Sequence, residues 1–351
     1  MSLRTYSLIT HPAYLRHVES LRFKSDRYAH TAAAVVPTHR PLIKQCSDIG
    51  RYLGISPLII LGVMNNADKH YRNFQFRKKS GGMREIDAPR TYLKVIQWWL
   101  LDTILSTTEP SPHAHGFVKG RSFVTNAKIH LGSRFILNVD VQDFFPSISF
   151  DQVTNEFLAL GYRLGLSRDL AKLTTLNGRL PQGAPTSPAL ANLILRRVDG
   201  ELSELATRNS LRFSRYADDI TFSSQVRIPQ AIVSEVSSIL ASVGLQLNPS
   251  KTRFMGRNQK LEITGLLLGR DGVVLDRRYL NGLRGWFSAA RRDPVKFFDH
   301  RKKIQGTLSL LNQVGGRGTE ALITSGNEAL SALGSVLESS EPTPTTASPE
   351  S

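Results

Sequence analysis

Two stretches of this chain carry an apolar pattern that runs into acid. Leu211 and Phe213 alternate with polar residues, Tyr216-Ala217-Asp218-Asp219 interrupts the alternation, and Ile220 and Phe222 resume it. That is the period-two pattern of a β-hairpin with one buried face and the acidic pair at its crest. Upstream, Phe135-Ile136-Leu137-Asn138-Val139-Asp140-Val141 is almost continuously apolar, which predicts a strand covered on both faces. Asp140 at its end is costly to bury unless it is paired or bound to metal. Asp143 and the bulky turn Phe144-Phe145-Pro146-Ser147-Ile148 follow. Ser149 and Gln152 then have the spacing of a capping box, opening a helix that carries Val153, Phe157 and Leu160 inward.

Other elements are readable from the same patterns. Arg77-Lys78-Lys79-Ser80-Gly81-Gly82-Met83-Arg84-Glu85-Ile86 predicts a hairpin with a Gly-Gly turn and a basic rim. In Leu180-Pro181-Gln182-Gly183-Ala184-Pro185-Thr186-Ser187-Pro188, Ser187 is placed to cap a helix and Pro188 to occupy its first position. Gly183 before it lets the backbone come close to a substrate. Beyond residue 272 the period becomes helical. Leu283, Trp286, Phe287 and Ala290 share one face, and Ile304, Leu308 and Leu311 share another. The segment from Glu338 to Thr346 has too little apolar surface to bury and is expected to be disordered.

Composition narrows the possibilities. The 351 residues, 40% of them hydrophobic, suffice for two or three subdomains with their own cores. A net charge of +16 favours a polyanionic partner. Much of the excess lies between Arg277 and Lys303, where Arg278, Arg284, Arg291, Arg292, Lys296, Arg301 and Lys302 are opposed only by Asp293 and Asp299. The single cysteine, Cys46, excludes a disulfide framework and a Cys-rich zinc site, and reads as a small buried apolar residue. No apolar run approaches a membrane span, and the first residues lack the layout of a signal peptide. The expectation is a soluble cytoplasmic protein with no membrane partner.

The chemistry follows from the carboxylates. An Asp-Asp pair in a turn is ordinarily a solvated acidic tip. A buried strand ending in Asp140 changes that reading, because folding alone gives no reason to gather like charges. Divalent cations remove the repulsion and take carboxylate oxygens as hard ligands. Asp140, Asp218 and Asp219 are therefore candidates for two-metal phosphoryl transfer, in which the ions sit about 3.5–4 Å apart.

These residues resemble the palm of reverse transcriptases, in which an acidic strand end precedes a Tyr-x-Asp-Asp hairpin. The Leu180–Pro188 run, continued by Ala189-Leu190-Ala191-Asn192-Leu193, matches the family segment lying under the incoming nucleotide and template base. Arg77–Ile86, continued by Pro89, Leu93, Ile96 and Gln97 into a helix, matches its fingers hairpin, and Gly244–Thr252 its late palm segment. Two further elements are similar to those of retron reverse transcriptases, bacterial enzymes that copy a dedicated noncoding RNA. These are Asn126-Ala127-Lys128-Ile129-His130 and Ile263-Thr264-Gly265, the latter with Ile in place of Val. The resemblance covers roughly residues 50–315.

The resemblance implies an α+β right-hand polymerase with fingers, an antiparallel-sheet palm and a helical thumb. Its regions would be an N-terminal helical part (1–70), fingers (71–134), palm (135–272), thumb (273–337) and tail (338–351). Asp140, Asp218, Asp219 and the Val141 carbonyl would hold two Mg²⁺, with Asp219 in a supporting role. Lys78, Lys79, Arg84, Phe144, Phe145, Gln182, Gly183 and Lys251 would meet the dNTP, Phe145 lying against the sugar C2′ to exclude ribonucleotides. Pro181, Tyr216 and Ala217 would face primer and template. Asn126, His130, Arg284, Arg291, Arg292, Arg301, Lys302 and Lys303 would bind RNA.

Implied partners are a structured noncoding RNA, its branched RNA–DNA product primed from a guanosine 2′-hydroxyl, and a separately encoded effector in anti-phage defence. Two alternatives stand beside this. One is a group II intron-like or other defence-associated reverse transcriptase, although an intron enzyme would carry a splicing domain for which this chain leaves no room. The other is an RNA/DNA-binding scaffold that restrains a toxin effector.

Overall fold

The computed structural model describes residues 41–338, except 42, 78–80, 257 and 317. Lys78 and Lys79, residues 1–40 of the expected N-terminal region and the tail from 339 onward lie outside the described residues. The chain divides into two compact units. The first comprises the described part of Met1–Gly120 with Asn138–Ile220 and Pro229–Thr252. The second comprises Arg121–Leu137, Thr221–Ile228 and the described part of Arg253–Ser351.

Helices α1 (Ser47–Leu53) and α2 (Pro57–Asn65) precede a hairpin of β1 (Tyr71–Arg77) and β2 (Met83–Pro89). The hairpin is antiparallel, in register from Tyr71↔Pro89 to Arg77↔Met83. Gly81 and Gly82 take φ of +87° and +78° at its tip, the left-handed region open to glycine. Helix α3 (Thr91–Thr103) follows and buries Leu93, Ile96 and Gln97. Buried Gln97 donates to the Tyr71 hydroxyl (2.8 Å) and the Leu173 carbonyl (2.9 Å), tying strand and helices together.

Helix α4 (Phe123–Lys128) precedes β3 (Phe135–Asp140), which is buried along almost its whole length, as its continuous apolar pattern predicts. Helix α5 (Phe150–Ala159) opens on the expected capping box: Ser149 Oγ accepts from the Gln152 N–H (3.3 Å), and Gln152 Oε1 accepts from the Ser149 N–H (2.7 Å). It buries Val153 and Phe157, whereas Leu160 is the C-terminal cap and only half-buried. Helices α6 (Leu164–Thr174), α7 (Ser187–Ile194) and α8 (Arg196–Arg208) lead to β4 (Arg212–Tyr216) and β5 (Asp219–Ser224). Ser187 lies inside α7 rather than capping it, because its hydroxyl donates to the Pro181 carbonyl (2.8 Å), and Thr186 is the cap position.

The β4–β5 hairpin departs from its alternating pattern. Phe213, Ser214 and Arg215 are buried in succession, as are residues 220–224. Both faces are covered, which the sequence disguises because Ser214, Thr221 and Ser223 are small enough to pack, and because Arg215 is neutralised internally. Helix α9 (Ala231–Ala241) and β6 (Arg253–Met255) complete this region, and the sheet has the strand order β4-β5-β3-β6. Strands β7 (Glu262–Ile263), β8 (Leu266–Leu268) and β9 (Val273–Val274) pair antiparallel.

Three helices finish the second unit: α10 (Arg277–Arg292), α11 (Arg301–Val314) and α12 (Glu320–Glu338). Leu283, Phe287 and Ala290 of α10 and Ile304, Leu308 and Leu311 of α11 are buried together with Leu322 and Leu333 of α12. Trp286 is only partly buried beside them. Among the described residues, no helix is long and apolar enough to cross a membrane.

Candidate active site

The first unit brings three chain segments to the end of β3. The Val141 N–H donates to the Asp218 carbonyl (3.0 Å), the Asn248 N–H to the Asp140 carbonyl (2.8 Å) and the Gln142 N–H to the Gln246 carbonyl (2.8 Å). Backbone pairing therefore sets Asp140, the β4–β5 turn and the 246–251 segment side by side. The Asp140 side chain is buried, and its Oδ1 accepts from Lys251 Nζ at 2.7 Å. Lys251 ends a single 3₁₀ turn, Pro249–Lys251, capped by Asn248, whose side-chain oxygen accepts from the Ser250 N–H (3.2 Å).

Asp218 sits in the two-residue turn, and Asp219 starts β5. Burial pushes the Asp218 carboxyl above the ordinary aspartate range, and the neighbouring charge of Asp140 pushes it the same way. Lys251 and Arg84 pull in the opposite direction without restoring it. For Lys251, burial disfavours the ammonium. The hydrogen bond and charge of Asp140, with the charges of Asp218 and Asp219, outweigh that and leave its pKa raised. Two acidic groups thus repel each other in a desolvated place, and the chain's own ammonium answers part of the charge. Hard oxygen donors with excess negative charge fit a divalent cation. Among the described residues, no three His, Cys, Asp or Glu side chains are grouped closely enough to hold a metal ion.

Because the folded-state pKa of Asp218 is raised, between the ordinary aspartate value and that raised one the folded chain holds a proton that the unfolded chain has already released. The metal-free protein therefore gains stability as pH falls through that pKa toward the ordinary aspartate value, and loses it as pH rises. Asp218→Asn is expected to melt at or above the wild-type temperature at neutral pH without divalent ions. Thermal melts in a chelator check this, and a clear loss of stability contradicts it.

The two phenylalanines after Asp143 are separated by burial: Phe144 is in the core and Phe145 is half-buried. Their ring centroids lie 5.1 Å apart, and Phe145 is 6.1 Å from the exposed ring of Phe117. A cavity of about 480 Å³ is lined by Arg84, Asp87, Asp143, Arg179, Pro181 and Gln182 among others. One wall of it forms where β2 is seated on the loop before α7, the Asp87 N–H donating to the Gln182 carbonyl (2.8 Å). Gly183, at φ +129°, is needed there because a Cβ would meet the Asp87 carbonyl oxygen and Ile86 Cγ2, each at 2.9 Å. The close approach expected at Gly183 is thus made by the β2 strand of this chain itself. Tyr216 is half-buried, and Pro181 and Ala217 are buried.

The residues expected to bind RNA lie in the second unit. Asn126 and His130 correct the expectation: both are fully buried, and His130 Nδ1 lies 2.7 Å from Ser223 Oγ. His130, just past the end of α4, thereby meets β5 inside the second unit. Arg284, Arg291, Arg292, Lys302 and Lys303 are exposed and Arg301 is half-buried. Arg291 pairs with Glu328 of α12, and Lys303 Nζ lies 5.1 Å over the Trp286 ring.

Sequence reasoning missed Arg215, Asp199, Asn192 and Gly116, which lie under the turn. Arg215 Nε and Nη2 donate to Asp199 Oδ1 (2.6 Å) and Oδ2 (2.7 Å), with both side chains at 0% exposure. One signal was available: Asp199 shares a helical face with Leu202 and Ala206, where a charge is out of place.

The chain matches the family described as reverse transcriptase (RNA-dependent DNA polymerase) over residues 76–268, more than half its length. It is 33% identical over 287 residues to the Retron Ec86 reverse transcriptase of Escherichia coli, covering 81% of this chain and 89% of that one. It is also 33% identical over 310 residues to the Retron Mx65 reverse transcriptase of Myxococcus xanthus, covering 80% and 71%. The Retron Ec73 reverse transcriptase of Escherichia coli is 28% identical over 250 residues, covering 66% and 79%. The chain belongs to the reverse transcriptase family, and it is an RNA-directed DNA polymerase of the right-hand, α+β fold. Within that family it is of the retron type. Enzymes of this family work with divalent metal ions on dNTPs.

Proposed function

We propose that this enzyme copies a dedicated structured noncoding RNA into DNA, starting from the 2′-hydroxyl of a guanosine within that RNA. The observation that carries the catalytic part is the buried Asp140 carboxylate beside a desolvated Asp218, with a chain cation drawn onto it. In each addition the primer hydroxyl oxygen loses its proton to solvent and bonds to the dNTP α-phosphorus, the bond to the bridging oxygen breaks, and pyrophosphate leaves with that electron pair. Two Mg²⁺, when bound, supply the acidity of the attacking hydroxyl and the charge that stabilises the leaving group. Asp140, Asp218 and the Val141 carbonyl would hold them, with Asp219 in support. No protein base is then required.

The surrounding residues orient the reactants. Lys251 stays cationic beside the carboxylates and is placed to meet triphosphate oxygens. Arg84 is within electrostatic reach of Asp218 and adds to that charge, and Lys78 and Lys79 would add to it as well. Gln182 positions the nucleotide, with Gly183 letting β2 seat against that loop, while Pro181, Tyr216 and Ala217 face primer and template. Phe145, the less buried of the two rings, lies against C2′ and excludes ribonucleotides, and Phe144 supports it from the core.

The exposed basic residues Arg284, Arg292, Lys302 and Lys303, with Arg291 and Arg301, grip folded RNA through its backbone. Because Arg291 is engaged with Glu328, the cleaner test is Arg284→Glu with Arg292→Glu. That pair is expected to weaken RNA binding and to flatten its salt dependence by about 0.7–0.9 for each phosphate no longer neutralised. Binding isotherms at several salt concentrations read the slope, and an unchanged slope means these side chains face solvent.

A cytoplasmic setting, a separately encoded effector and a role in anti-phage defence complete the proposal on the strength of the retron relatives. The direct test supplies the purified protein with its own RNA, dNTPs and Mg²⁺. Labelled cDNA should stay joined to RNA after denaturation and be freed by a 2′,5′-debranching enzyme. cDNA with a free 5′ end would overturn the priming mode.

A further inference from the structure

We infer that Arg215 is a positioning residue for catalysis: its guanidinium, neutralised by Asp199 and braced by Asn192, holds the Ala217 carbonyl and so fixes how Asp218 leaves the turn. This rests on the reading of Asp218 as a catalytic carboxylate.

The root of Arg215 is fixed on both sides. Its N–H donates to the His113 carbonyl (2.8 Å), and its carbonyl accepts from the His115 N–H (2.7 Å). From there the side chain runs inward to the bidentate pairing with Asp199. The remaining nitrogen, Nη1, donates to Asn192 Oδ1 (3.0 Å) and to the Ala217 carbonyl (3.1 Å). Asn192 Nδ2 in turn donates to the Gly116 carbonyl (2.9 Å). Gly116 is pressed against the turn, since a Cβ there would come within 2.5 Å of the Ala217 nitrogen.

Ala217 itself is held at φ +56°, a left-handed conformation that a residue with a Cβ rarely adopts. Its carbonyl belongs to the peptide plane that ends in the Asp218 nitrogen. Whatever grips that carbonyl sets the plane, and the plane sets the direction of the Asp218 side chain. Strain of this kind persists where the surroundings over-determine it.

Stability alone does not call for this arrangement. A buried ion pair can be replaced by apolar groups of similar volume with little loss, or even with a gain. What apolar groups lack is the planar fork of donors that reaches a carboxylate, an amide and a backbone carbonyl together. Lysine has the charge without the fork.

The test uses the full chain on a primed RNA template. Arg215→Met combined with Asp199→Leu removes the pair without leaving a lone buried charge, and Arg215→Lys keeps the charge but not the reach. Both are expected to melt near the wild-type temperature and to bind primer–template and dNTP with affinities within about threefold, while kcat falls about 100-fold, as for a displacement of about 1 Å. Mn²⁺ binding to the free protein, followed by electron paramagnetic resonance, should weaken in both. Wild-type kcat and Mn²⁺ affinity in either folded variant would overturn the inference. So would loss of cooperative melting in both, because the pair would then be a fold staple. Asp218→Asn run alongside separates the two levels. If Asp218→Asn is inactive and the Arg215 variants are normal, only the positioning role fails. If Asp218→Asn is active, the carboxylate assignment itself fails.

Discussion

Asp140→Asn and Asp218→Asn are each expected to abolish DNA synthesis in a protein that remains folded. Asparagine keeps the volume of aspartate while removing the ligand charge. Metal-borne stabilisation of the transition state is worth several kcal/mol, and each 1.4 kcal/mol is tenfold in rate, so the loss should be about a thousandfold or more. Folding should survive for different reasons at the two positions. At Asp218 the substitution removes a charge that burial and Asp140 already disfavour. At Asp140 it releases Lys251, whose side chain is 58% exposed and can turn to solvent. Single-nucleotide extension of a primed RNA template reads the rate. Activity within tenfold of wild type at either position means that the carboxylates are not where the chemistry occurs.

The second large effect is expected at a residue that touches no substrate. Gly116→Ala would put a methyl group 2.5 Å from the Ala217 nitrogen and 3.2 Å from its Cα, both of them backbone atoms that cannot rotate away. The turn must move, and it carries Asp218. A misplacement of about 1 Å can cost about 100-fold in rate even when the mutation lies outside the chemistry. The expected outcome is therefore a kcat reduced about 100-fold, with primer–template affinity kept. Neighbouring Gly120→Ala has open space around its Cβ but a φ of +77°, so it reports backbone strain without a clash at the turn. Equal losses in the two variants would mean that loop strain, and not the contact with Ala217, is responsible.

Much of the fold was legible because its cues are local. The continuous apolar run of β3, the Ser149–Gln152 capping box and the Gly81-Gly82 turn each depend on a few adjacent residues, and all three occur as the sequence predicts. The α10 and α11 faces were readable for the same reason. What escaped was set by residues distant in sequence. Arg215 falls on the same face of the strand as Leu211 and Phe213, where a charge has no evident partner in the local sequence, and only Asp199, sixteen residues away on a helix, makes its burial tolerable. The resemblance to retron enzymes places Asn126 and His130 against RNA, whereas both are buried, and Ser223, more than ninety residues on, meets the His130 imidazole inside the second unit. Gly183 read as an opening for substrate, yet β2 fills that space. The carboxylates were visible as residue types, but their mutual electrostatic stress, and the seating of Lys251 on Asp140, arise only in three dimensions.

The measurement that tests the central claim most directly is the nucleic acid carried by the protein when it is purified from cells that also express its RNA. Wild type should bring down DNA covalently joined to RNA, sensitive to both DNase and a debranching enzyme. Asp218→Asn, recovered in equal amount, should bring down the same RNA with no DNA attached. Branched DNA on the Asp218→Asn protein, or RNA without DNA on the wild type under conditions that supply dNTPs and Mg²⁺, would contradict the account.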